Sequence, residues 1–376
     1  MELSLKKFII FLFILLALAA AIYFICFYFF KKIATPEKLG KEIDIQPQKI
    51  QRLIPLSQEK ALAPTVDEAG KEIKFYSKDN GNLYKVKFDG TNLTKISSAN
   101  LAGILKILWS PNKESIISYF QEDEKIKKYL HNYQSGQSSL LKEEIEQAVW
   151  SPDGTKIVVQ SFNPENKTNT ISIADANGQN LKPIFQTRIK DLLLEWSTID
   201  KISLKTKPSG LSEGLLLVIN PDNGEFHSVL NGIYGLNIKW SPLGNFLIYS
   251  ATTIEGKKPQ LFSIDQNGQN KKTLGLSTII EKCVFSQDNR TLFCALPKKV
   301  SENAVWPDDY YKGLVATADE FYKINLDTGE KDLMFSPDPL DKNYDATDMF
   351  LTPEEDYLIF INKRDGLLYS LNLQTE

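Results

Sequence analysis

"AVWSPDGTKIVVQS", Ala148 to Ser161, decides the fold. An apolar run ends at Trp150, a Ser-Pro-Asp-Gly turn follows, and a second β-rich run begins at Lys156. Proline pre-sets φ at the second position of such a turn, and glycine accepts the left-handed conformation after it. Variants of the stretch return along the chain, with the apolar end of the first run at Val66, Trp109, Trp150, Trp196, Trp240, Phe285 and Leu351. The steps are 43, 41, 46, 44 and 45 residues, then 66. Most copies keep an apolar residue seven places on, as at Ile157, Leu247 and Leu292; the Trp196 copy is one residue shorter and reaches Ile202.

Downstream of each copy lies a second signature, clearest in "ISIADANGQNLKPI", "LFSIDQNGQNKKTL" and "FYKINLDTGEKDLM". Each is an alternating apolar run, a tight Asp/Asn/Gly turn and another short run. Asp-Gly and Asn-Gly supply the positive φ that two-residue hairpins need. Two hairpins per copy make four antiparallel strands. Such units at a period of roughly 40–45 residues mark an all-β, seven-bladed β-propeller. One sheet cannot bury both its faces alone, so the Trp, Phe or Leu that ends each first strand reads as blade-to-blade packing. The last copy stops before a fourth strand. Residues near Lys49–Leu56 look like an outer strand without a hairpin of their own, and pairing them with the last blade would close the ring and hide a sheet edge. The propeller then spans 49–376.

The first thirty-two residues are a different material. Phe8 to Phe30, "FIIFLFILLALAAAIYFICFYFF", is uncharged and almost wholly apolar, with Lys6 and Lys7 before it and Lys31 and Lys32 after it. A helix of about 20 such residues crosses the hydrocarbon core. The run exceeds the apolar region of a signal peptide and reads as an uncleaved transmembrane anchor, 1–32. Residues 33–48 form a polar tether. Flanking lysines do not fix the orientation, because long domains cross regardless of flanking charge.

The Trp-Ser-Pro-Asp-Gly hairpin followed by the Asp-x-x-Gly hairpin resembles the TolB-like propeller repeat, also described as WD40-like. The match covers roughly 49–376. Its best copy is Trp150–Gly154, with Trp240–Gly244 and Trp109–Pro111 partial. It departs at Val66, Phe285 and Leu351, where the Trp is replaced, and at Thr198, where the Pro is lost. The resemblance implies a bacterial, exported protein with the propeller in the periplasm or outside the cell. It says little about function, since such propellers bind proteins, bind sugars or cap hydrolases.

Chemistry is sparse in the residues. The formal net charge of −3 and the lack of a long basic run with aromatics argue against nucleic acid. His131 and His227, the only two histidines, fall in different copies and read as structural; no HExxH, phosphate loop, GxSxG elbow or dinucleotide fingerprint occurs. No catalytic residue, metal site or cofactor is assigned. "DANGQN" and "DQNGQN" lack full calcium-loop spacing and read as turns. Cys283 and Cys294 should face each other across the sixth copy's first hairpin, within disulfide range, and an oxidised pair would support export.

One segment breaks the period. Pro297 to Glu320, between the second and third strands of the sixth copy, places Trp306, Asp308, Asp309, Tyr310 and Tyr311 side by side. A loop this long in a compact repeat is functional or disordered, and its aromatics argue against disorder. It is either a lid packing its aromatics on the propeller or a site gripping a saccharide, a peptide or a protein. The acidic connection Ser336–Asp348 should emerge on the same face. The expected protein is a single-pass, membrane-anchored propeller that works by binding at the cell envelope. A carbohydrate-active enzyme of lyase or glycosidase type and a purely structural envelope subunit are the alternatives.

Overall fold

The computed structural model describes residues 52–97, 103–338 and 342–374. The stretch Phe8–Phe30 and the tether 33–48 lie outside them, and among the described residues no helix is long and apolar enough to cross a membrane.

The described residues form seven four-stranded antiparallel sheets, each a meander, which make a seven-bladed propeller. In the third blade the strands are Ile145–Trp150, Lys156–Asn163, Thr168–Asp175 and Lys182–Thr187. First strands of neighbouring blades contact one another, as Ala61–Val66 does Ile104–Trp109 and Ile145–Trp150 does Leu192–Thr198. Turns between second and third strands, and the connections from blade to blade, emerge on one face of the ring.

The sequence period has a direct structural meaning. The residue ending each first strand is the cross-strand partner of the apolar residue seven places on: Trp109 pairs with Ile116, Trp150 with Ile157, Trp240 with Leu247 and Phe285 with Leu292. The indoles then reach the preceding blade. Trp109 Nε1 donates to Ala63 O at 2.8 Å, Trp150 Nε1 to Leu108 O at 3.1 Å and Trp240 Nε1 to Ser203 Oγ at 2.9 Å. Each of these three Trp rings packs against the neighbouring blade and satisfies its one donor there, whereas the buried Trp196 Nε1 finds no partner. In the Ser-Pro-Asp-Gly turn, Ser151 Oγ donates to Asp153 Oδ1 at 2.6 Å and accepts from Lys156 N, while Gly154 takes φ +71°.

The seventh blade is composite. Leu53–Pro55, at the start of the described chain, pairs antiparallel with the last strand, Leu368–Asn372, in the register Leu53–Leu371. In the sixth blade Cys283 faces Cys294 directly, with Cα atoms 4.1 Å apart and the sulfurs joined in a disulfide.

Candidate functional site

The long segment between the sixth blade's second and third strands, Thr291–Pro297 and Asp319–Asn325, forms a strap across one face of the ring. Its single helical turn, Asp308–Tyr311, is anchored at three places. On the fourth blade, Asp308 accepts from Ser209 Oγ at 2.9 Å and from Gly210 N at 2.7 Å. On the fifth, Trp306 N donates to Gly256 O at 2.7 Å, and Lys257 Nζ donates to Asn303 O and Ala304 O. On the seventh, Tyr310 Oη donates to Asp345 Oδ1 at 2.8 Å. Asp345 lies in the acidic connection Ser336–Asp348, so that connection and the strap do share a face.

The strap carries its own small core. Trp306 is 1% exposed, stacks on Tyr310 at 5.8 Å between ring centres, and packs with Ile279 and Ala304. Tyr310 is 2% exposed. Asp309 closes its own turn by accepting from Val305 N at 2.8 Å. Of the five residues singled out in the sequence, only Tyr311 is open, at 42%. Its hydroxyl donates to Glu281. The ring faces of Trp306 and Tyr310 are thus spent on packing, and both aspartates on backbone and hydroxyl donors.

Two glycines let the strap lie this close. A Cβ on Gly210 would fall 2.1 Å from Trp306 O, and one on Gly256, at φ +70°, would meet Val305 Cγ1 at 2.7 Å. Gly210→Ala is therefore expected to cost about 1–3 kcal/mol by overpacking against backbone. Thermal unfolding beside wild type would show it, with Gly136→Ala, at φ +67° and with no atom near its Cβ, reading the cost of backbone strain alone.

Beneath the strap sits a buried ionic cluster. The turn Ile280–Lys282, which leads into the sixth blade, sends Glu281 outward to Asn237 Nδ2 at 2.6 Å and Lys282 inward. Lys282 Nζ donates to Asp319 Oδ2 at 2.6 Å, Asp345 Oδ1 at 2.7 Å and Ala346 O at 3.2 Å, and all three side chains are fully buried. Asp345 also accepts from Thr317 N and Thr317 Oγ1. Burial pushes both carboxyls up. At Asp345 the Lys282 ammonium and the hydrogen bonds outweigh it and hold the group below its ordinary range, whereas Asp319 stays raised. Burial and the nearby Asp345 carboxylate push the Tyr310 hydroxyl far up, so it remains a donor.

From this cluster the strap reaches a cleft at the inner rim of the seventh, first and second blades. Lys363 Nζ donates to Tyr310 O and lies 3.5 Å over the Tyr310 ring; Arg364 Nε donates to Thr317 O at 3.0 Å. Both also line the cleft, about 710 Å³, together with Lys60, Lys78 and Lys106. Close in sequence to the strap's contacts with the fourth and fifth blades, Leu211, Ile254 and Leu314 are 62–73% exposed. Leu211 and Leu314 flank the Asp308–Asp309 anchor, and Ile254 precedes the Gly256 contact by two residues. The sequence offered no local signal for the cleft or this apolar group, because each is assembled from separate blades.

His131 and His227 lie in the second and fourth blades, and among the described residues no group of three His, Cys, Asp or Glu side chains is placed to hold a metal. No family model and no curated protein matches the chain. Solved structures do match in fold. An oligogalacturonate lyase in complex with manganese is 14% identical, with a TM-score of 0.62 over 85% of this chain and 93% of the other. A second oligogalacturonate lyase, from Vibrio parahaemolyticus, is 12% identical, with a TM-score of 0.58 over 85% and 93%. The propeller domain of the Trilobed protease from Pyrococcus furiosus is 11% identical, with a TM-score of 0.54 over 83% and 96%. At these identities the likeness is one of fold, and the fold is that of the β-propellers.

Proposed function

We propose that this chain is a membrane-anchored propeller that works by binding another protein at the cell envelope, and that the partner docks on the face carrying the strap. The observation that carries this reading is the apolar group Leu211, Ile254 and Leu314 beside Tyr311. Leu314 and Tyr311 on the strap, and Leu211 and Ile254 on the blade segments that anchor it, stay in water, and exposed apolar side chains around one element mark interaction sites. With the Trp306 and Tyr310 rings packed away, Tyr311 alone of the three leaves a ring open, which favours a protein over a saccharide gripped between stacked rings. A carbohydrate-active enzyme is the second reading, because two propellers of like fold are named oligogalacturonate lyases. Among the described residues no three His, Cys, Asp or Glu side chains are gathered as a manganese site would need.

The anchor Phe8–Phe30 and the disulfide fit a propeller facing an oxidising compartment. Thiol labelling of the denatured chain from its native membrane is expected to reach Cys283 and Cys294 only after reduction; labelling before reduction would place the propeller in a reducing compartment. For the docking face, full-length protein in detergent serves as bait from its native membrane. Leu211→Glu/Leu314→Glu is expected to lose the protein that wild type captures while its unfolding temperature stays within about 2 °C, as surface changes do. Undiminished capture by the double variant would sink the reading.

A further inference from the structure

We infer that the cleft between the seventh, first and second blades is an anion-binding site that takes an acidic, extended segment of the docked protein. The inference rests on the proposed docking face, since the cleft opens on that face and Lys363 and Arg364 join it to the strap.

Five cations line the cleft against two carboxylates, Asp348 and Asp365. Asp365 is already committed: it pairs with Lys342 and accepts from Tyr369 Oη at 2.9 Å, Asn362 Nδ2 at 3.0 Å and Leu367 N at 2.8 Å. Among the described residues, Lys60, Lys78 and Lys106 make no ion pair. Arg364 spends only its Nε on the strap, which leaves its two terminal nitrogens free for a carboxylate, the geometry in which guanidinium is most selective. Burial lowers the Lys106 and Lys363 ammonium groups, as expected of cations short of counter-charge, although Asp345 partly offsets it for Lys363.

The floor selects among anions. It is formed by Leu62, Ala63, Pro64, Ile107 and Leu108, with no aromatic ring in the lining. Sugar recognition leans on stacking against flat rings, whereas an aliphatic floor with a cationic rim suits a peptide that sets an apolar side chain down between carboxylates. The floor is also locally shaped. Ala63 sits at φ +49° in an irregular stretch between Leu62 and Thr65, a conformation a non-glycine residue seldom holds, and its carbonyl is fixed by the Trp109 indole.

The test uses full-length protein in a non-ionic detergent and three fluorescent probes: a dodecapeptide alternating Glu and Leu, its Gln-for-Glu counterpart, and a trigalacturonate. The acidic peptide is expected to bind, to weaken tenfold or more between low and high salt, and to weaken tenfold or more in Lys60→Glu/Lys78→Glu and, separately, in Arg364→Glu. The two lysines touch neither the strap nor an ion pair, so their variant reads binding rather than folding. Binding of the Gln peptide as tightly as the Glu peptide, or an affinity unmoved by both variants, would overturn the inference. A trigalacturonate that binds more tightly than the peptide and is lost in Arg364→Glu would overturn the peptide assignment. Failure of the acidic peptide, while Leu211→Glu/Leu314→Glu still abolishes capture, would refute the cleft and leave the docking face standing.

Discussion

Lys282→Ala is expected to destabilise the propeller by about 3–5 kcal/mol, because it removes the one cation between two fully buried carboxylates. The cost exceeds the loss of three hydrogen bonds. Asp319 and Asp345 would face each other across an apolar gap, and Asp345 is the anchor of Tyr310 and Thr317. The strap should loosen first, raising the exposure of Trp306, whose fluorescence can be followed through urea unfolding. The two acids should differ. Asp345→Asn sets an amide NH2 against a donor, since Oδ1 and Oδ2 of Asp345 both accept, and should approach the lysine variant in cost. Asp319 has one oxygen, Oδ1, with no partner, and its raised pKa favours the protonated form in the fold. Asp319→Asn should therefore be milder. The pH dependence has opposite signs at the two groups. Asp345, held low, contributes stability that is present above the ordinary carboxylate range and lost as pH falls through its folded value. Asp319, held high, contributes stability that is lost as pH rises through its folded value. Asp319→Asn should remove the loss on rising pH and keep the acid limb. A Lys282→Ala protein that unfolds within about 0.5 kcal/mol of wild type would show that the cluster is not coupled to the strap, since a change of that size is ordinary for surface positions.

What could be read from the sequence follows the range of the interaction. The first hairpin of each blade is local: Trp150 and Ile157 are seven residues apart because four turn residues and their flanks separate cross-strand partners. The Trp196 copy, which lost its Pro, pairs Trp196 with Ile202 through an irregular turn, so even its deviation has a local cause. The aromatic strap was visible as a break in the period, and the acidic connection as a neighbour on the same face. Its use of those aromatics was not visible. Whether Trp306 offers its ring to a ligand or to Tyr310 is decided by contacts with Gly210 and Gly256, which look like ordinary loop glycines until the backbones are brought together. The ionic cluster was hidden for the same reason: Lys282 meets Asp319 and Asp345 across 37 and 63 residues. The cleft joins Lys60 to Arg364 across nearly the whole propeller. Periodicity carries no information about such pairs.

Removal of residues 1–57 is expected to destabilise the propeller by about 4–6 kcal/mol relative to removal of 1–32, from two buried leucines and a row of backbone bonds. Leu53–Pro55 is short, but its neighbourhood bridges two blades. Leu53 packs with Phe360, Tyr369 and Leu371 of the seventh blade, whereas Leu56 packs with Ile73, Phe75 and Val86 of the first. Leu56 N donates to Leu368 O at 2.7 Å, Ser57 Oγ accepts from Leu368 N at 2.9 Å, and Arg52 O accepts from Asn372 N at 2.8 Å. Arg52 Nη1 continues to Met334 O of the sixth blade at 3.0 Å. Without this strand Leu368–Asn372 becomes an open edge, with Leu371 and Leu368 uncovered beside unpaired backbone groups, a template for association between chains. The shorter protein should therefore melt earlier and aggregate in a concentration-dependent way. Leu53→Asp in the otherwise intact chain should reproduce much of the loss, because it places a carboxylate in the same core without removing the backbone. Superimposable melting curves for the two truncations, with no rise in aggregation for the shorter one, would mean that the ring holds without its first strand.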